Sequence, residues 1–217
     1  IICFAWSVFQ LYIAYFPMNT TMSRSAHLAF AICLLFLLYP LKIHKKAHSS
    51  MPFYDIALCI LGTLAALYPL IEFYALAERP GDYTSFDIAV ACVAVIVLFE
   101  AGRRIIGPAL PIIAAIFLAY DYFGQYMPDI IAHQGASLNK LAGHMYLTTE
   151  GVFGVPLGVS VSFIYLFVLF GSLLERAGAG QYFINLAFAL LGKFRGGPAK
   201  ASVIASGLTG MVSGSST

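Results

Sequence analysis

Hydrophobic positions along the chain fall into long, nearly unbroken blocks divided by short polar stretches. Five blocks, at roughly 1–17, 27–43, 54–77, 86–102 and 107–124, approach the ~20 apolar residues that a helix needs to cross a bilayer core of about 30 Å. A polar stretch from Gln125 to Glu150 follows, and a sixth block runs from about Val152 to Leu174. Two shorter apolar segments, 181–192 and 199–212, complete the pattern. Continuous blocks, rather than strict alternation, predict helices and not a barrel. The expected fold class is an all-α polytopic membrane protein with about six transmembrane helices.

Basic residues give these blocks a direction, because short cytoplasmic connections carry an excess of Lys and Arg. Lys42, Lys45 and Lys46 mark the second connection and Arg103 and Arg104 the fourth, while the first and third hold only Arg24 and Arg79. The N-terminal end is therefore expected inside and the 125–150 stretch outside. The sixth block returns the chain to the inner side near Arg176, where Lys193, Arg195 and Lys200 also lie.

With both ends inside, the segment 181–192 cannot cross, and at ~1.5 Å per residue it is also too short. It is expected to be a helix along the inner interface. The segment 199–212 reaches only about 20 Å before "SGSST" begins, so it ends near mid-membrane as the first arm of a re-entrant hairpin. Ser213, Gly214, Ser215 and Ser216 at its tip are suited to ligation: Gly permits close backbone approach and Ser supplies a neutral oxygen. Carbonyls freed at the end of a half-helix ligate a hard cation such as Na⁺, and half-helix N-termini suit a carboxylate. Close helix packing, through a G-x-x-x-G pair at Gly210 and Gly214, is the competing explanation of the same residues.

Composition agrees with the pattern: 217 residues, 60% hydrophobic and only 10% charged, where a soluble domain carries roughly 25% charge. A net charge of +2 implies no nucleic-acid partner. Cys3, Cys33, Cys59 and Cys92 fall inside apolar blocks and read as packing residues. His44 and His48 read as a solvated loop beside Lys45 and Lys46 rather than a metal site. Glu100 has the spacing to pair with Arg103 and Arg104 on a helix end. Glu72, after Pro69, is the most embedded carboxylate along the sequence, with a structural role or a proton role. Glu175 and Arg176 in "GSLLERAGAG" read as a helix stop, and the glycines of "GVFGVPLGVS" as close packing or a gating element. A hydrolytic role for Ser215 needs a base, and His144, the nearest in sequence, falls in the external connection, so no enzyme is expected. The chain starts on Ile1 and stops within the Ser-Gly tip, and is expected to be a piece of a longer protein.

The stretch "GVFGVPLGVSVSFIYLFVLFGSLLERAGAGQYFINLAFALLGKFRGGPAKASVIASGLTGMVSGSS" resembles the start of the large membrane subunit of TRAP transporters, the tripartite ATP-independent periplasmic transporters. The resemblance runs from near Gly107 to the end, and the first four blocks look like the small membrane subunit fused in front, an arrangement similar to permeases that work with TAXI-type binding proteins. It implies four parts: a scaffold-like part over 1–105, the first two large-subunit helices over 106–180, an interfacial arm helix and basic turn over 181–198, and the start of the transport-domain hairpin over 199–217. It further implies Na⁺-coupled, elevator-type uptake of small organic acids delivered by a periplasmic binding protein, across a bacterial or archaeal cytoplasmic membrane. Na⁺ acts as coupling ion with no other cofactor. Ser213, Gly214, Ser215 and Ser216 carry over as the ion and substrate site, with Na⁺ at Ser213, Gly214 and Ser215. A channel or facilitator with a re-entrant filter remains the alternative.

Overall fold

The computed structural model describes residues 1–41 and 53–212. Expectations for Lys42, His44, Lys45, Lys46 and His48 lie outside the described residues. Every regular element among the described residues is helical: α1 (Ile2–Tyr15), α2 (Thr20–Leu38), α3 (Phe53–Ile71), α4 (Phe73–Glu78), α5 (Ser85–Ile105), α6 (Ala109–Phe123), α7 (Leu138–Ala142), α8 (Val155–Val159), α9 (Tyr165–Arg176), α10 (Ala179–Leu191) and α11 (Gly197–Val212). A π-helical turn, Ser160–Ile164, joins α8 to α9. The chain divides into two compact units, 1–158 and 159–217.

Four helical runs are long and apolar enough to cross a membrane: α2, α3, α5 and the combined run Val155–Arg176, of 19, 19, 21 and 22 residues. At ~1.5 Å per residue they span about 28–33 Å, the depth of a hydrocarbon core. The first and fifth expected spans are the shorter helices α1 and α6, of 14 and 15 residues. The expectation of about six helices thus resolves into four full-length runs and two short ones, an all-α polytopic membrane protein.

Two boundaries differ from the hydrophobic pattern, each for a physical reason. The second helix begins at Thr20 and not near 27, because Asn19 caps it: its side-chain oxygen accepts from the Thr21 N–H at 2.9 Å. Ser23, Ser25 and His27 are then buried within the first turns of α2, where their polarity disguises the helix. The third block is not one helix but two, α3 and α4, meeting at Glu72. Pro69 lies inside α3 and cannot donate to the preceding turn, so the break falls just after it.

In the first unit α2, α3 and α5 surround a tightly packed core. Ala91, Ala94, Val97 and Ala101 form one buried stripe on α5, and Ile32 and Phe36 one on α2. Small side chains let the backbones approach, and Gly62 on α3 marks the closest point. A Cβ there would lie 2.7 Å from both Ile32 Cγ2 and Val97 Cγ1. Helix α1 packs on α2 through Trp6, whose ring stacks on Phe30 at 6.1 Å and whose Nε1 donates to His27 Nδ1 at 3.3 Å.

One end of this bundle is closed by a buried guanidinium. Arg104, 4% exposed at the end of α5, ion-pairs with Asp55 Oδ1 at 2.6 Å at the start of α3. It also donates from Nε to Glu100 Oε1 at 2.7 Å and from NH1 to the Tyr39 carbonyl, at the cap of α2, at 3.1 Å. Asp55 accepts in turn from the Leu41 N–H at 3.3 Å, and the guanidinium lies 4.8 Å from the Phe36 ring centroid. Three helix ends are therefore held by one charge. The expected pairing of Glu100 with both arginines is present, Arg103 Nε donating to Glu100 Oε2 at 2.8 Å.

Two stability outcomes follow from this packing. Gly62→Val forces apart three helices and is expected to cost about 1–3 kcal/mol, read as a lowered thermal midpoint in detergent, whereas Leu61→Val on the exposed side of α3 leaves the midpoint nearly unchanged. Arg104→Met strands the buried Asp55 carboxylate and is expected to cost about 3–5 kcal/mol. Adding Asp55→Leu to Arg104→Met removes the stranded charge and is expected to recover most of the loss. A double variant no more stable than Arg104→Met alone would show that the charge pairing does not set the cost.

Candidate functional site

Ser213, Gly214, Ser215 and Ser216, the expected ion and substrate ligands, lie outside the described residues. What the structure presents is the arm that leads to them. Helix α9 stops at Arg176, where Gly178 adopts φ +86° and donates to the Glu175 carbonyl at 3.0 Å. This left-handed turn is open to glycine at little steric cost, and it bears out the expected stop at Glu175 and Arg176. The chain continues as α10 and the basic turn of Lys193 and Arg195, and Pro198 stands in the first turn of α11, where its missing N–H costs nothing.

Helix α11 packs on α10 through Ala201 and Ala205, which are buried with Ala187 and with Leu191 beside them. The i and i+4 spacing puts both alanines on one stripe and brings the two backbones close. The competing packing explanation placed the small-residue contact at Gly210 and Gly214, of which Gly214 lies outside the described residues. Among the described residues, a Cβ at Gly207 or Gly210 would meet no atom within 4 Å. Alanines therefore carry the contact between α10 and α11, and the glycines nearer the tip are left with open space beside them.

At the opposite end of the first unit from Arg104, a second polar cluster closes the bundle. Asp87 is fully buried at the start of α5, where Thr84 and Asp87 form a reciprocal cap: Thr84 N–H donates to Asp87 Oδ2 at 2.8 Å and Asp87 N–H to Thr84 Oγ1 at 3.3 Å. The Tyr68 hydroxyl of α3 donates to Asp87 Oδ1, and Arg79 approaches Oδ2 at 3.3 Å. The most deeply buried carboxylates are thus Asp55 and Asp87, while Glu72 is half-buried. This corrects the reading of Glu72 as the most embedded carboxylate, because the turn that contains it lies at the helix break and not within a crossing.

The polar stretch expected outside is ordered at this same end. A π-helical turn, Gly143–Leu147, buries Tyr146 against Phe153 with ring centroids 5.1 Å apart, and burial pushes the Tyr146 phenol above its usual range. Arg24 of α2 donates to the Phe153 carbonyl at 2.5 Å. A Cβ at Gly158 would lie 2.5 Å from an Arg24 guanidinium nitrogen, so a larger residue there would have to displace the end of that side chain. This favours packing as the explanation for that part of "GVFGVPLGVS". His144, considered as a base for Ser215, pairs instead with Glu150 at 2.7 Å. Among the described residues no three His, Cys, Asp or Glu side chains converge as metal ligands.

Arg24, Asp55, Tyr68 and Asp87 were not singled out by sequence as partners. For Asp87 the signal was legible, since "TSFD" before an apolar run is a capping-box pattern. For Arg24 there was none, because Phe153 is 129 positions away.

These arrangements are those of an all-helical membrane protein, and comparison with known proteins agrees. The family model described as tripartite ATP-independent periplasmic transporter, DctM component, matches residues 93–217. Comparison with curated proteins and with solved structures gives no match. The family match takes in the second half of α5, the polar stretch 125–150, α10 and α11 and the Ser-Gly tip, more than half of the 217 residues. The chain therefore belongs to the tripartite ATP-independent periplasmic transporter family, as a membrane component of the DctM type.

Proposed function

We propose that this chain is the membrane component of a secondary active uptake system for small carboxylates, supplied by a periplasmic binding protein and coupled to Na⁺. The observation that supports this reading is the family match over 93–217, which extends through the α10–α11 arm into the Ser-Gly tip. A mid-membrane tip of neutral Ser oxygens and Gly backbone suits a cation that sheds its water without a proton partner. Ser213, Gly214 and Ser215 are the proposed Na⁺ ligands, and Ser216 completes the substrate side. Residues 1–105 form a scaffold resembling a fused small subunit of the TAXI-type arrangement, in a bacterial or archaeal inner membrane.

In this mechanism Na⁺ organises the tip, the carboxylate docks against the ordered N–H groups, and the arm carries the loaded site across by an elevator-type shift. Coupling then follows from differential binding to the two end states, since a ligand shifts an equilibrium only by its difference in affinity.

The test is thermal unfolding of the purified protein in Na⁺ against K⁺ at equal ionic strength, with Ser215→Ala alongside. An ion that binds only the folded state at one hundred times its Kd adds about 2.7 kcal/mol. A Na⁺-specific rise in midpoint that Ser215→Ala abolishes is the expected outcome. Equal midpoints in the two ions would overturn Na⁺ coupling at this tip.

A further inference from the structure

The external stretch of the first unit encloses an open polar cavity of about 860 Å³. Its walls carry charges of both signs, Asp121, Lys140 and Glu150, together with His133, His144 and Asn139. Three of these are already engaged. His144 pairs with Glu150, and His133 accepts from the Gly135 N–H at Nδ1 while its Nε2 lies 3.2 Å from the Tyr120 carbonyl, which makes Nε2 the protonated nitrogen. Lys140 and Asp121 make no ion pair among the described residues, and the Asn139 side-chain oxygen is buried there without a hydrogen-bond donor. The cavity therefore offers a cation and an anion to whatever enters it.

Directly below it lies a second, apolar chamber between α5 and α6, of about 430 Å³, with walls that include Val95, Phe99, Phe117, Leu118 and Met145. Asp121 lines both chambers, so they adjoin at this residue. A third chamber of about 210 Å³ extends the apolar space and shares Val95, Leu118 and Met145 with the second and Leu141 with the polar cavity. No residue of helix α6 is fully buried. A polar chamber with separated charges joined to an apolar slot has the chemistry of one amphiphile, not of two ligands.

Depth in the membrane identifies which amphiphile. The last turn of α6 and the short turn after it carry Tyr120, Tyr122, Phe123 and Tyr126, the last three exposed. Tyrosines of this kind sit at the headgroup level of a bilayer. Asp121 falls within this belt, so the polar-to-apolar boundary of the joined chambers coincides with that of the lipid.

We infer that the joined chambers hold one phospholipid of the outer leaflet with a zwitterionic, ammonium-bearing head. An acyl chain fills the slot between α5 and α6. The phosphate faces Lys140, and the ammonium group faces Asp121. Such a lipid fills the gap beside Met145 and braces the π-helical turn that carries Tyr146.

The test uses the purified protein in vesicles of phosphatidylethanolamine doped with the same lipid bearing a photoreactive group in its acyl chain, with phosphatidylglycerol vesicles and the matching anionic probe as the second arm. After irradiation, adducts are mapped by peptide mass spectrometry. Adducts on the peptides of Val95, Leu118 or Met145, stronger with the ethanolamine lipid, are expected. Leu118→Trp, which fills the slot, is expected to lower them about tenfold, while adducts at the outward-facing Ile60 of α3 persist. Labelling of Ile60 without labelling of the slot would overturn the proposal, as would equal labelling by both lipids for the headgroup assignment. If Leu118→Trp does not fold, the wild-type map alone decides. A slot covered by other protein gives no adducts and overturns the proposal too. None of these outcomes depends on Na⁺ or on the transported substrate.

Discussion

A single buried guanidinium sets the geometry on which the first unit depends. Arg104 meets a carboxylate from α3, a carboxylate from its own helix and a carbonyl from the end of α2, at 2.6, 2.7 and 3.1 Å. A charge removed from water at the end of a membrane helix is tolerated only where such partners surround it. The partners in turn fix the order of the helices, because the end of α2, the start of α3 and the end of α5 must lie together. This is the alternation that three successive crossings produce. The other end repeats the logic with signs exchanged, a buried Asp87 held by Tyr68, Thr84 and Arg79. Between the two polar closures the contact is made of alanine, valine and a glycine, and it needs the closures to stay in register, since lipid offers little apolar driving force for helix association.

Helix content was legible in the sequence because the bilayer allows few alternatives. With no water to satisfy backbone groups, a block of about 20 apolar residues has to be a helix. Local pairings were legible for the same reason. Glu100 reaches Arg103 and Arg104 because three and four residues on a helix share a face. Arg79 shows where this stops. Its neighbours Glu78 and Asp82 suggest a local ion pair, yet α4 ends at Glu78 and the turn that follows delivers Arg79 to Asp87. Helical spacing predicts partners only while the helix continues.

Polar residues inside helices were the least legible. Arg24 and Ser25 read as a connection because they are polar, although Ser25 is buried in α2 and Arg24 is bonded to Phe153 across the fold. A hydrophobic pattern records what a residue is, whereas burial depends on what it meets. The same limit applies to the carboxylates: Asp55 and Asp87, each at the start of a span, are more deeply buried than Glu72 in mid-block. Start positions can be buried because their helix ends are closed by Arg104 and Arg79, neither of which sequence distance alone connects to them.

The contrast between the two units bears on transport. In the first, α2, α3 and α5 are locked by interior contacts and by charges at both ends, a construction with one arrangement. In the second, α10 and α11 meet through three buried alanines and a leucine, without an ion pair among the described residues. Small apolar contacts can slide or separate at low cost because no buried charge is stranded when they part. A protein that moves a binding site across a membrane needs a fixed body and an element whose contacts are cheap to remake. On the elevator-type reading proposed above, the unit built around α2, α3 and α5, with charge buried at both ends, is the fixed body, and the unit of α10 and α11, whose Lys193 and Arg195 stay at the surface, is the part whose contacts are remade.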